Sequence, residues 1–188
     1  MTKTGFRNLY SCYKLADFLT TQSTNQVKKI LKTFVCTRNA DVEDFLRNKA
    51  ITFEKYLRSQ TYLYINNQNK KIEAYFSIGI TYLLTEQLDK AMVRFLDGYT
   101  HKSVAIPCYL VGQLGKSDEC KVKIGNFLLD EAISIIDSAQ STLGGRFVLV
   151  DSLNDERVIK FYEKNSFLPL ECNSLAKSIK MIKPYFSH

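Results

Sequence analysis

The fold is decided by one stretch of the sequence, Ile106-Pro-Cys-Tyr-Leu-Val-Gly-Gln-Leu-Gly-Lys-Ser-Asp-Glu-Cys-Lys-Val-Lys-Ile-Gly-Asn-Phe-Leu-Leu129. Its apolar beginning predicts a central strand over 104–112, and apolar residues at helical spacing predict a helix from Lys123 to about Ser141. Backbone amides in the first turn of a helix lack intrahelical partners and carry the positive end of the helix dipole. The charged loop at this junction therefore suits an anion such as a pyrophosphate, with Lys121 and Lys123 adding charge. A plain solvated connection is the alternative.

Length and composition predict a single domain over residues 1–188. The chain has 188 residues, of which 45% are hydrophobic and 12% aromatic, enough for a substantial core. No apolar run approaches the length of a membrane span, and the N-terminus lacks the apolar core of a signal peptide. We therefore expect a cytoplasmic protein with no membrane partner.

The cysteines argue against both a disulfide scaffold and a metal site. They are five in number and widely spaced, and no two stand at metal-ligand spacing. We therefore predict free thiols and no metal at Cys12, Cys36, Cys108, Cys120 and Cys172. Because Cys120 stands beside Lys121 near a helix start, where a thiolate is favoured, a reactive thiol stays open there. A Cys-His nucleophile pair is disfavoured, since His101 and His188 are the only histidines.

The charge balance indicates attraction to polyanions. The formal net charge is +7, and lysines cluster at 28–32, at 70–71 and at 177–183. Nucleic acid, a phosphorylated cofactor, or both would fit this excess. Ordinary solubility charge is the alternative.

Periodicity and turn residues divide the chain into alternating helices and strands. Residues 1–10 leave open an edge strand or part of a first helix, and 15–31 predict two short helices separated by a polar breaker at 20–25. The further predictions are, in order, a helix from Asn39 to near Arg58, a hairpin of Thr61–Ile65 with Lys71–Ile80, a helix over Thr85–Leu96 ending at Gly98, a buried strand over Arg146–Val150, a helix over Asn154–Lys164 capped by Asn154, and closing strands over Phe167–Leu170 and Ser178–Ile182.

The order of these elements and three local motifs resemble the GNAT superfamily of acetyl-CoA-dependent N-acetyltransferases. The motifs are the strand, loop and helix from Leu110 to Leu129, the strand Phe147-Val-Leu-Val-Asp151, and Phe161-Tyr-Glu-Lys-Asn-Ser-Phe167, which is similar to the family's Phe-Tyr-x-x-x-Gly-Phe. Phe34–Leu46 and Ile106–Leu114 also resemble the toxin-type branch, which acetylates the amino group of aminoacyl-tRNA. The resemblance implies an α/β (α+β) fold with a mixed, mostly antiparallel central sheet flanked by helices.

The resemblance also implies roles for individual residues. The main chain of Leu114, Gly115 and Lys116 would hold the pantetheine arm of acetyl-CoA. The pyrophosphate would be bound by the backbone amides of Lys121, Val122, Lys123, Ile124, Gly125 and Asn126. Asn154 would hydrogen-bond the cofactor near its thioester, and Tyr162 would protonate the departing thiolate of coenzyme A. The alternatives are a plain helix cap for Asn154 and a packed aromatic beside Phe161 for Tyr162.

The loop departs from the family pattern, and this leaves three functions open. The family reads Gln/Arg-x-x-Gly-x-Gly/Ala, whereas this chain reads Cys120-Lys-Val-Lys-Ile-Gly125 and keeps only the last glycine. The first hypothesis is an acetyl-CoA-dependent N-acetyltransferase with aminoacyl-tRNA as the amine acceptor. The second is acetylation of a protein or small-molecule amine, and the third is a degenerate GNAT fold that serves as a non-catalytic binding module. An antitoxin partner and a homodimer are also kept open.

Overall fold

The architecture comes from a computed structural model that describes residues 2–170 and 176–186. The helices are α1 (Lys3–Leu9), α2 (Leu15–Thr21), α3 (Thr24–Leu31), α4 (Ala40–Asp44), α5 (Ala50–Lys55), α6 (Lys90–Asp97), α7 (Gly125–Leu143) and α8 (Glu156–Lys164), with a π-helical turn over Phe45–Lys49. The strands are β1 (Tyr10–Lys14), β2 (Gln60–Asn66), β3 (Ile72–Leu84), β4 (Ala105–Lys116), β5 (Phe147–Leu153), β6 (Leu168–Pro169) and β7 (Ser178–Pro184). No helix among the described residues is long and apolar enough to cross a membrane.

The strands form one sheet of mixed direction. Its strand order is β1-β2-β3-β4-β5-β7-β6. The pairs β1/β2, β2/β3, β5/β7 and β6/β7 are antiparallel, whereas β4 and β5 run parallel with Tyr109 opposite Val148. A parallel pair needs a long crossover, and α7 provides it between β4 and β5. The mixed, mostly antiparallel sheet that the sequence predicts is confirmed.

The described residues divide into two compact units. The first unit contains the described residues up to Gly79 together with Gly112–Ile135, and the second contains Ile80–Val111 together with the described residues from Ile136 on.

In the first unit, helices α2 to α5 bury their apolar faces against the strands. Phe34 packs edge-on against Tyr75 at 5.2 Å between ring centroids, and the Tyr75 hydroxyl donates a hydrogen bond of 2.6 Å to the carbonyl oxygen of Val42. The buried residues of this core are Leu15, Val27, Leu31, Phe34, Cys36, Val42, Phe45, Leu46, Ala50, Ile51, Leu63, Ile72 and Tyr75. Asn39 caps α4 by accepting a hydrogen bond from the Val42 amide.

In the second unit, Gly98 and Arg146 fix the C-terminal end of α6. Gly98 ends the helix with φ of 80°, a left-handed conformation that favours glycine. A Cβ at Gly98 would lie 2.4 Å from the guanidinium carbon of Arg146, which donates hydrogen bonds to the carbonyl oxygens of Phe95 and Leu96. The core of this unit is Leu83, Val93, Leu96, Ile106, Cys108, Phe147, Leu149 and Ile182.

Several helix starts differ from the sequence-based predictions, and α7 begins at Gly125 and not at Lys123. Helix α6 begins at Lys90 and not near Thr85, because Asp89 accepts the capping hydrogen bond from the Met92 amide, while the Thr85 hydroxyl donates to the carbonyl oxygen of Ser103. Helix α8 is capped by Asp155, which accepts from the Arg157 amide, so the prediction that Asn154 caps it is wrong.

Candidate functional site

The loop between β4 and α7 is tied to the first unit at its entrance. The Ser117 amide donates a hydrogen bond of 2.7 Å to the carbonyl oxygen of Glu73, and the Asp118 amide donates one of 2.8 Å to that of Val35. The Asp118 carboxylate accepts from the backbone and hydroxyl of Thr37 and from Arg38, and these bonds lower its pKa. These hydrogen bonds therefore fix the position of the first residues of the loop.

The Lys116 side chain turns back into this loop. Its ammonium donates hydrogen bonds of 3.1 Å to the carbonyl oxygen of Cys120 and of 3.0 Å to that of Val122. The sequence-based interpretation gave only the main chain of Lys116 a role. A lysine at the end of a strand carries no sequence signal for such contacts.

The backbone amides from Lys121 to Gly125 lack intramolecular acceptors among the described residues at the start of α7. Within residues 2–170 and 176–186 these amides donate no hydrogen bond, and the first bond into α7 runs from the Leu128 amide to the carbonyl oxygen of Ile124. Ile124 is fully buried and anchors the helix start. A row of unpaired amides at the N-terminus of a 19-residue helix is a suitable environment for an anion.

The lysines of the loop leave their charge at the surface. Lys121 and Lys123 are both exposed, and the Lys121 ammonium donates to the carbonyl oxygen of Asp118 at 3.3 Å. The Lys123 side chain has no hydrogen bond or ion pair within the described part of the chain. Both positions can thus add positive charge near the amides.

Gly115 lies where α4 packs closely against β4, with no space for a side chain. A Cβ at this position would lie 2.3 Å from Cγ1 of Val42 and 3.5 Å from Cε1 of Tyr75. The glycine therefore lets α4 approach β4 closely. Its neighbour Leu114 is half-buried.

Tyr162 lies in the second unit, on α8. Its ring packs edge-on against Phe161 and Phe167, with centroid distances of 5.1 and 5.3 Å. The side chain is 8% exposed, and this burial raises its pKa from 10.0 to about 12. The hydroxyl has no hydrogen-bond partner among the described residues. Tyr162 thus carries a neutral phenol with its proton available.

Asn154 also lies in the second unit, just after β5 ends. Its amide side chain donates a hydrogen bond of 2.8 Å to the carbonyl oxygen of Ala176, and its backbone amide donates one of 3.1 Å to that of Lys177. These bonds attach the β5–α8 connection to the chain before β7. Leu114 to Asn126 therefore lie together in the first unit, and Asn154 and Tyr162 lie in the second.

The cysteines Cys12, Cys36, Cys108 and Cys120 are free thiols, and Cys172 lies outside the described residues. No group of three or more potential metal ligands occurs in the described ranges. Cys120 is 3% exposed, and its sulfur lies 3.6 Å from both the Tyr10 hydroxyl and the carbonyl oxygen of Val122. The thiol is thus enclosed beneath the loop.

Sequence reasoning missed the buried polar cluster next to Cys120. The Tyr10 hydroxyl donates a hydrogen bond of 2.7 Å to Oε2 of Glu73, whose Oε1 accepts from the side-chain amide nitrogens of Asn66 and Asn69. Burial and these neighbours raise the pKa of Tyr10 well above its ordinary value. Glu73 is 5% exposed and its carboxylate accepts from these three donors, so the buried charge is satisfied within the first unit.

Comparisons with known proteins agree on the fold. No protein-family model and no curated protein sequence matches the chain. Among solved structures, the chain is similar to a tyrosine-to-phenylalanine mutant of KacT, with a TM-score of 0.71 and 13% identity over 94% of this chain and 95% of that one. AtaTR bound with acetyl-CoA matches with a TM-score of 0.69 and 17% identity, covering 94% of each chain.

A further similar structure is AtaT complexed with acetyl-methionyl-tRNAfMet, with a TM-score of 0.67 and 16% identity over 93% of this chain and 94% of that one. At this level of sequence identity the similarity shows a common fold and does not by itself show a common function. The chain therefore has the GNAT-like fold that the AtaT toxin and KacT share.

Proposed function

We propose that the chain is an acetyl-CoA-dependent N-acetyltransferase that acts in the cytoplasm on a primary amine, with the amino group of aminoacyl-tRNA as its acceptor. The observation that carries this proposal is the row of unpaired amides from Lys121 to Gly125 at the start of α7. Support comes from the fold, shared with structures of AtaT bound to acetyl-CoA and to an acetylated tRNA.

In this proposal the first unit binds the cofactor. The amides of Lys121 to Asn126 hold the pyrophosphate, Lys121 and Lys123 add charge, and the main chain of Leu114 to Lys116 holds the pantetheine arm. Acetyl-CoA supplies the acetyl group as a thioester. Lys123 replaces a family glycine, and its side chain is exposed and forms no hydrogen bond or ion pair within the described residues.

Tyr162 supplies the proton in the same proposal. Attack by the amine nitrogen on the acetyl carbonyl forms the amide and breaks the carbon–sulfur bond, and the sulfur takes the phenolic proton. An ordinary thiol is a stronger acid than a phenol with a pKa of about 12. Burial disfavours a thiolate as it disfavours a phenolate, so the difference between the two pKa values becomes smaller in a buried site. Asn154 is proposed to hydrogen-bond the cofactor near its thioester.

The cofactor site is tested by thermal unfolding. We expect acetyl-CoA to raise the melting temperature, because a ligand at 100 times its Kd stabilises the native state by about 2.7 kcal/mol. Lys123→Glu should weaken binding by about tenfold, or ~1.4 kcal/mol, because it reverses a charge beside the amides. Calorimetric titration measures both affinities.

The matched control is Lys90→Glu, which makes the same charge change at an exposed position of the second unit. Equal losses in the two variants would point to net charge and against a pyrophosphate site on the loop. No stabilisation by millimolar acetyl-CoA would favour the non-catalytic binding module over the enzyme.

A row of cations in the first unit supports an RNA acceptor. The ammonium of Lys55 donates a hydrogen bond of 3.0 Å to the Thr24 hydroxyl at the start of α3. Lys28 and Lys32 follow Thr24 at intervals of four residues, so their side chains continue along the same side of the helix. Lys28, Lys29 and Lys32 are exposed and form no ion pair within the described ranges. Unpaired cations in a row suit a phosphate backbone.

The acceptor is tested with the double variant Lys28→Glu/Lys32→Glu. We expect its affinity for tRNA to fall by at least about tenfold and the salt dependence of binding to become shallower, because fewer counterions are released. The control is Lys90→Glu/Lys102→Glu, which reverses two exposed charges of the second unit. The opposite result is that both double variants bind tRNA as the wild type does and still acetylate a small amine. It would favour a protein or small-molecule acceptor. Antitoxin binding and the homodimer stay predictions.

A further inference from the structure

The half-buried ammonium of Lys116 binds two carbonyl groups of the loop between β4 and α7. The ammonium of Lys116 lies 3.1 Å from the carbonyl oxygen of Cys120 and 3.0 Å from that of Val122. Lys116 is half-buried and forms no ion pair with a carboxylate in the part of the chain that the structure describes. Ordering a long lysine side chain costs conformational entropy. The two hydrogen bonds from the charged ammonium offset this cost and hold the side chain in place.

The directions of these two carbonyl groups fix the directions of the neighbouring amides. No cis peptide bond occurs in the described ranges, and in a trans peptide the C=O of one residue and the N–H of the next point in opposite directions. Since the carbonyl groups of Cys120 and Val122 point to the ammonium, the amides of Lys121 and Lys123 point away from it. The ammonium thereby removes two acceptors that would repel an anion and turns two donors outward.

This arrangement replaces the usual role of glycine in such a loop. The sequence carries Cys120 and Lys123 where the family pattern has glutamine or arginine and glycine. We propose that Lys116 is the positioning residue of the loop: its ammonium holds the carbonyl groups of Cys120 and Val122 so that the amides of Lys121 and Lys123 face the pyrophosphate. The ligand in this statement rests on the proposed function, whereas the effect on the loop does not.

Cys120 is a built-in reporter of the loop conformation. The thiol is 3% exposed and lies 3.6 Å from the carbonyl oxygen of Val122, the same oxygen that Lys116 holds. In Lys116→Met the two carbonyl groups lose their charged donor, and the loop is free to move off the thiol. Loss of a nearby cation on its own disfavours a thiolate and slows alkylation. A faster reaction would therefore report opening of the loop.

The first arm of the test measures alkylation of Cys120 by iodoacetamide in ligand-free protein, read by peptide mass spectrometry with the exposed Cys12 as an internal reference. We expect an increase of at least about tenfold in Lys116→Met, as the loss of bonds to a charged group predicts. Lys90→Met removes the same charge from the second unit and should leave the rate unchanged. An unchanged rate in Lys116→Met overturns the proposal, whether or not the protein binds acetyl-CoA.

The second arm measures steady-state acetyl transfer. We expect Lys116→Met to raise the KM for acetyl-CoA by about tenfold with kcat changed by less than about twofold, and Lys116→Arg to keep most of the affinity because a guanidinium can also donate to two carbonyl groups. The loss should persist at about 0.5 M salt, where a direct charge effect is screened. A loss that disappears at high salt would make Lys116 a charge contact and overturn its positioning role. A wild type that binds no acetyl-CoA would refute the proposed function and leave the alkylation result to decide on Lys116.

Discussion

Tyr162→Phe is expected to lower kcat for acetyl transfer by about 10²–10⁴-fold, the usual contribution of a general acid, while leaving the affinity for acetyl-CoA unchanged. The phenol is buried between Phe161 and Phe167, and burial raises its pKa to about 12. It therefore keeps its proton throughout the physiological range and can give it to a departing thiolate. Phenylalanine keeps the ring contacts and removes only the hydroxyl, so single-turnover rates and cofactor titration on the same preparation separate chemistry from binding.

Two further measurements make this assignment refutable. Tyr162→Ala should also lower the free energy of unfolding, by about 3–5 kcal/mol, because it leaves a cavity in the core. Tyr162→Phe should keep the wild-type melting temperature. In the wild type, a pKa of about 12 predicts no loss of kcat from Tyr162 ionisation up to pH 10. Full activity of Tyr162→Phe would contradict the role of this phenol as the proton donor. A fall in wild-type kcat with an apparent pKa below 10, absent in Tyr162→Phe, would contradict the buried environment that we assign to it.

The elements with strong local signals were predictable from the sequence. The central strand, the loop and α7 follow from a change of apolar period near Lys123, and the hairpin of β2 and β3 follows from β-forming residues around the turn at 66–69. Gly98 ends α6 because a left-handed residue is needed there. These signals depend on neighbours in the sequence, and local energetics alone decides them.

Other features depend on partners that are distant in sequence. Helix α1 and strand β1 meet at Leu9 and Tyr10 without any turn residue, and β1 exists because it pairs with β2. Asn154 and Asp155 are both good caps, and the bond from Asn154 to the carbonyl oxygen of Ala176 leaves the cap to Asp155. The π-helical turn within the predicted helix from Asn39 to Arg58 adds a residue that a period of 3.6 does not reveal.

The candidate site shows the same division. The sequence predicts an anion site at the start of α7, because unpaired amides are a property of any helix start. It does not predict the contacts of the Lys116 side chain or the cluster of Tyr10 and Glu73, since these contacts join residues from separate elements. Gly115 could be noted from the sequence, but only the position of Val42 tells packing apart from ligand approach.

Gly115→Ala is expected to lower the free energy of unfolding by about 1–3 kcal/mol, because the added methyl group overpacks the contact with Val42. The new Cβ would stand 2.3 Å from Cγ1 of Val42, a distance that requires the Val42 side chain or the backbone to shift. Gly115 is not among the glycines with positive φ, so its backbone can accept an alanine and the cost comes from side-chain space. Chemical denaturation of wild type and variant measures the difference.

The compensating substitution is Val42→Ala, which removes the methyl group that the new Cβ meets. Residue 42 keeps its main-chain bonds to the side chains of Asn39 and Tyr75, so α4 should remain in place. In a double-mutant cycle we expect Gly115→Ala/Val42→Ala to be more stable than the sum of the single effects by about 0.5–3 kcal/mol. Additive losses would refute the packing explanation. Unchanged stability of Gly115→Ala together with weaker acetyl-CoA binding would mean that the glycine is needed for the cofactor, and the main chain of β4 would then be the place where the pantetheine arm approaches.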